Sequence, residues 1–79
     1  MGILDIRAAF SDALPAGYSC SAAWLSYEQH ADIQWQRLRF RGTGPGGEAF
    51  EVRSDQLRPE TDLHAAARKL AKGLSNGGA

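Results

Sequence analysis

The chain has 79 residues, and its nine Lys and Arg balance nine Asp and Glu, so its formal net charge is zero. Neutrality argues against a general nucleic-acid binder, which shows an overall basic bias. No apolar run approaches the ~20 residues that a membrane-spanning helix needs. The lone Cys20 excludes an intrachain disulfide, and one Cys with two His falls short of the four ligands of a structural zinc site.

Hydrophobic residues at 43% and charged residues at 23% are ordinary for one globular domain. A chain this short buries roughly 60% of its unfolded surface, so its core is thin. Stability without disulfides fits a reducing cytosol. The N-terminus shows no basic segment leading into a long apolar one, so a cytoplasmic location without a signal peptide is expected. Ile6 stands where a myristoylation motif wants Ser or Thr.

Residues 3–14 read as a first helix, because Ile3, Ile6, Phe10 and Leu14 recur at helical spacing. Asp5 suits the dipole at its start, and Pro15-Ala16-Gly17 stops it. Residues 18–27 alternate, with Tyr18, Cys20, Ala22 and Trp24 on one side and Ser19, Ser21 and Ala23 on the other. That favours a strand over a short helix capped by Ser21. Gln29-His30-Ala31-Asp32 is the expected turn into a second strand over 33–41.

The second strand carries the densest chemistry. Alternation sends Gln36, Leu38 and Phe40 to one face and Trp35, Arg37, Arg39 and Arg41 to the other. Thr43-Gly44-Pro45-Gly46-Gly47 is a strong turn signal. A third strand follows over 48–53, with Phe50 and Val52 inward and Glu51 and Arg53 outward. Glu51 is a natural cross-strand partner for one of the three arginines. Residues 59–74 read as a second helix with the stripe Leu63, Ala66, Ala67, Leu70, Ala71 and Leu74, capped by Thr61 or Asp62. Residues 1–74 then form one compact domain, and 75–79 a flexible tail.

The order α-β-β-β-α, with short connections, predicts an α+β two-layer domain. A three-stranded antiparallel sheet carries two helices packed on one face. The other face collects Trp35, Arg37, Arg39, Arg41, Glu51 and Arg53. Charge is blocked along the chain. Residues 1–32 set Arg7 against Asp5, Asp12, Glu28 and Asp32, whereas residues 33–41 hold three arginines and no acid. A solvated face with these arginines paired to Glu51, Glu28 or Asp32 is the bland reading. Exposed pairs contribute only ~0–1 kcal/mol each, so stability alone is a weak reason for three arginines. Trp and Arg together are the residues enriched at interface hot spots.

Other features carry less. The glycine-rich loop runs into a strand without a Lys-Ser/Thr, unlike a phosphate loop, which precedes a helix. His30 lies near Glu28 and Asp32, but no nucleophile or second catalytic group accompanies it. His64 falls in the first turn of the second helix, and Cys20 reads as a small core residue.

The element order is similar to that of double-stranded-RNA-binding domains and of small ribonuclease toxins of the HicA type. The likeness is one of order, not of motifs. The second helix opens on Pro59-Glu60-Thr61-Asp62-Leu63, acidic where such an RNA-binding domain places lysines. Tyr27-Glu28-Gln29-His30 offers a hairpin histidine without the Gly or Ser that precedes it in the toxins.

The reading that follows is a non-enzymatic interaction module without cofactor or metal. Trp35, Arg37, Arg39, Arg41 and Arg53 would dock on an acidic protein surface. Small prophage and mobile-element proteins that inhibit or adapt a larger machine are of this size class. Nucleic-acid binding by the same arginines, and a ribonuclease resting on His30, are the alternatives. Self-association through the open face or a strand edge is a further protein-binding route.

Overall fold

The computed structural model describes residues 2–77. The elements are α1 (Ile3–Ala13), β1 (Ser19–His30), β2 (Ile33–Thr43), β3 (Ala49–Arg53) and α2 (Leu63–Gly77). The three strands form one antiparallel sheet in the order β1-β2-β3. The α+β architecture expected from the sequence is therefore the one observed.

α1 turns Ile6, Ala9 and Phe10 into the core and places Asp5 in its first turn. Its backbone becomes extended at Leu14, as the residue before Pro15 must. α2 starts later than residue 59, because Pro59–Thr61 form a separate turn in which Thr61 N–H donates to the Arg58 carbonyl. Asp62 is the cap: its Oδ1 accepts from the backbone N–H groups of His64 and Ala65. The helix continues through Gly77, past the expected end at 74. The rest of the expected tail, residues 78 and 79, lies outside the described residues.

Both helices cover the same sheet face. Ile6 and Phe10 of α1, Leu38 and Phe40 of β2, and Ala67 and Ala71 of α2 form the buried cluster. Phe10 and Phe40 stack with ring centroids 3.9 Å apart and planes 2° from parallel. Each such side chain contributes roughly 1.5–3 kcal/mol of burial, so this pair dominates a small core. Phe50 and Val52 of β3 pack against the cluster from its margin, as their inward alternation requires.

β1 differs from the plain alternation of its sequence. The register with β2 shifts between Cys20 and Ala22, so Ser21 is the extra residue of a bulge. Cys20 consequently packs on the core, while Ala22 and Trp24 turn to the opposite face. The close approach at the bulge is made opposite Gly42. A Cβ there would collide with the Ser19 carbonyl oxygen and lie 2.9 Å from the Phe50 ring. β1 also runs three residues further than expected, and Ala31-Asp32 alone joins it to β2, since His30 pairs with Ile33.

After Arg53 the chain leaves the β3 ladder and rejoins it. Ser54 is buried: its N–H donates to the Leu38 carbonyl, and its Oγ accepts from Leu38 N–H at 2.9 Å. Gln36 and Leu57 then exchange both backbone hydrogen bonds. The Gln36 side chain donates to the carbonyls of Arg58 and Pro59, which satisfies a buried amide and pins the connection to α2.

Candidate functional site

The sheet face away from the helices is where the arginines stand. The register places Glu28 opposite Trp35, Ser26 opposite Arg37, Trp24 opposite Arg39 and Ala22 opposite Arg41. On the other side of β2, Arg41 faces Glu51 and Arg39 faces Arg53. Trp35, Arg37, Arg39, Arg41 and Arg53 thus share one surface, together with Trp24, which the plain alternation of 18–27 grouped with Cys20.

Two carboxylates hold this surface in order. Glu51 Oε1 accepts from Arg41 Nε and Nη2 at 3.2 and 2.8 Å, and its Oε2 lies 3.7 Å from Arg39. The hydrogen bond from Arg41, with the charges of Arg41, Arg39 and Arg53, holds the Glu51 carboxyl below its usual range. At the far end, Glu28 Oε2 accepts from Gln56 Nε2 at 2.8 Å and lies 3.4 Å from His30 Nε2. Glu28 Oε1 is 3.5 Å from Arg37 Nε, a buried atom that makes no hydrogen bond. Hydrogen bonding from Gln56 and then His30, with the Arg37 charge, lowers the Glu28 carboxyl too.

The two indoles are each covered by a guanidinium. Arg41 lies over the Trp24 ring at 5.1 Å and Arg58 over the Trp35 ring at 5.3 Å. Trp24 is nevertheless 43% exposed, whereas Trp35 is half-buried. The sequence singled out Trp35 as the aromatic of this surface; the more accessible one is Trp24. Arg58 was also missed, because it arrives from the segment after β3. No local pattern announces that contact.

Five guanidinium groups, from Arg37, Arg39, Arg41, Arg53 and Arg58, thus meet two carboxylates, Glu28 and Glu51, on one surface. A shallow recess of about 240 Å³ opens between Trp24, Ser26, Arg39, Arg41 and Glu51. It can receive a carboxylate or another planar anion against the indole. A larger groove of about 730 Å³ lies on the other side of the sheet. There β3 and α2 stand apart over Phe50, Val52, Leu57, Ala66, Leu70 and Leu74.

His30 reaches Glu28 and Gln56 but no nucleophile, and His64 is fixed through its backbone to Asp62. Among the described residues no group of three or more His, Cys, Asp or Glu is placed to hold a metal ion. Among the same residues no helix is long and apolar enough to cross a membrane. The chain matches no protein-family model, no curated protein and no solved structure.

Proposed function

We propose that this protein is a non-enzymatic interaction module that docks on an acidic protein surface through the open sheet face. The carrying observation is the excess of five guanidinium groups over two carboxylates on a face that also carries the accessible Trp24 indole. Arg39 and Arg41 already engage a carboxylate, that of Glu51, beside Trp24. A partner carboxylate entering the same recess meets donors with the geometry it needs. A neutral chain with a local basic face suits a protein partner better than a polyanion. A small inhibitor or adaptor of a larger machine, as encoded by phages and other mobile elements, is the role this size and surface fit.

The test uses a Trp35→Phe variant, in which fluorescence reports Trp24. Poly-glutamate and a single-stranded RNA are titrated separately at equal charge. The expected result is a Trp24 response to poly-glutamate that Arg39→Ala/Arg41→Ala abolishes. A response to RNA alone, with steep salt dependence, replaces this reading with the nucleic-acid one. Indifference to both polymers overturns the site.

A further inference from the structure

β1 is an edge strand, and the ladder shows which of its backbone groups are left over. On β2, Gln36 bonds to Leu57 through both backbone groups and the Leu38 carbonyl accepts from Ser54, and just past its end Gly44 N–H donates to the Glu48 carbonyl. In an antiparallel sheet the backbone pair of successive residues points to alternate neighbours. Gln36, Leu38 and Phe40 therefore serve the β3 side, and Arg37, Arg39 and Arg41 serve β1. Their partners Ser26, Trp24 and Ala22 are engaged inward. Ala23, Leu25, Tyr27 and Gln29 must then aim their N–H and C=O groups at the open edge.

This edge is guarded at one end only. Near Cys20 the bulge interrupts it, and Arg7 Nη2 of α1 donates to the Cys20 carbonyl at 3.1 Å. From Ala22 to His30 there is no Lys, Arg or Pro, the residues with which exposed edges are usually blunted, and Glu28 is the one acid. Two exposed large hydrophobics stand on this edge strand itself. Trp24 lies on the open face, and Tyr27, 59% exposed, lies on the helix side beyond the end of the core. Leu4, 73% exposed, stands on α1 one turn before Arg7, the residue that reaches the edge.

We infer that residues 22–28 pair antiparallel with the same segment of a second copy, forming a twofold dimer with one continuous sheet. Pairing centred on Leu25 sets Trp24 opposite Ser26, Tyr27 opposite Ala23 and Glu28 opposite Ala22 of the second copy. Large side chains meet small ones, and no like charges face each other. Tyr27 arrives on the side where Leu4 of the other copy stands exposed. The acidic end of one open face, at Glu28, comes beside the Arg41 end of the other, because Ala22 neighbours Arg41. The two Trp24 side chains become diagonal neighbours across the new ladder, ~7–8 Å apart by strand geometry. The match of sizes and charges selects a second copy over an unrelated extended peptide. The inference rests on the edge and stands or falls separately from the docking role.

Sedimentation from low micromolar to millimolar protein tests it, with amide exchange read at both ends of the range. Tyr27→Pro removes one outward N–H and leaves the β1–β2 ladder whole. Tyr27→Lys, which keeps the N–H and adds a charge, serves if the proline variant does not fold. The expected result is concentration-dependent dimerisation, weakened at least about tenfold, or ~1.4 kcal/mol, by either substitution. Protection at Ala23, Leu25 and Tyr27 should rise with concentration, and the near-ultraviolet circular dichroism should gain a Trp–Trp signal that Trp24→Phe removes. A wild type that stays monomeric throughout overturns the inference. So does a dimer that survives the substitution with those three amides exchanging freely. The poly-glutamate response of Trp24 is read on the same samples, so loss of the dimer is distinguishable from loss of docking.

Discussion

Arg41 sits over the Trp24 ring although its direct partner on β1 is Ala22, so the contact is a diagonal one across two strands. The same guanidinium donates twice to Glu51 on the third strand. One side chain therefore spans all three strands of the open face and fixes both the indole and the carboxylate. Arg41→Ala should raise the acrylamide quenching of Trp24, read in a Trp35→Phe background. The stability cost should stay within about 1 kcal/mol, because the ion pair and the cation–π contact are both exposed. Unchanged quenching would mean that the guanidinium does not cover the ring in solution.

Glu51 gives the face a pH dependence of known sign. Its folded-state pKa lies below the ordinary 4.5, chiefly through the Arg41 hydrogen bond. A lowered carboxyl contributes its full stabilisation above the unfolded pKa and loses it as pH falls through the folded one. The difference in denaturation midpoint between the wild type and Glu51→Gln should therefore be constant at neutral pH and close below about pH 4.5. A difference that grows on acidification contradicts the assignment. Glu28 is shifted the same way, so a Glu28→Gln/Glu51→Gln variant should flatten the acid limb further.

Much of the face was legible because β2 alternates regularly from Gln36 to Arg41. Leu38 and Phe40 contrast sharply with Arg37, Arg39 and Arg41, and such contrast fixes the strand's orientation toward a core. β1 offers no such contrast around its bulge. Cys20, Ser21, Ala22 and Ala23 are all small and nearly neutral, so a one-residue slip leaves no trace in the pattern. That slip decides the side on which Trp24 stands. The covering of Trp35 by Arg58 was equally hidden, since it depends on the backbone rejoining the sheet at Leu57, a contact 21 residues distant along the chain from Gln36.

Ser54 is the hinge of that rejoining. Its hydroxyl takes the place of a strand carbonyl for Leu38 N–H and donates in turn to the Asp55 carbonyl. Ser54→Ala should cost about 1–3 kcal/mol, because it strands a buried backbone donor without changing the volume much. Urea unfolding monitored by far-ultraviolet circular dichroism measures it. Arg58 is set by the same segment, so the variant should also raise Trp35 quenching in a Trp24→Phe background. A neutral substitution would show that another group or a water serves Leu38.

The hairpin tip carries strain that one substitution should relieve. Ala31 has φ of 55°, the left-handed region, in the two-residue connection between His30 and Ile33. That conformation costs an L-residue with a Cβ roughly 1–2 kcal/mol, whereas glycine adopts it freely. Glycine also adds freedom to the unfolded chain, worth roughly 0.5–1 kcal/mol in the opposite direction. Ala31→Gly should therefore be neutral to stabilising by about 1 kcal/mol, and Ala31→Val destabilising, since a β-branched side chain fits this region worst. Both variants leave the Glu28, His30 and Gln56 cluster chemically intact, so the NMR chemical shifts of the Gln56 side-chain amide serve as a control on the tip. A clear loss of stability in Ala31→Gly would show that the tip is not held in the left-handed conformation, and the two-residue turn between β1 and β2 would need to be redrawn.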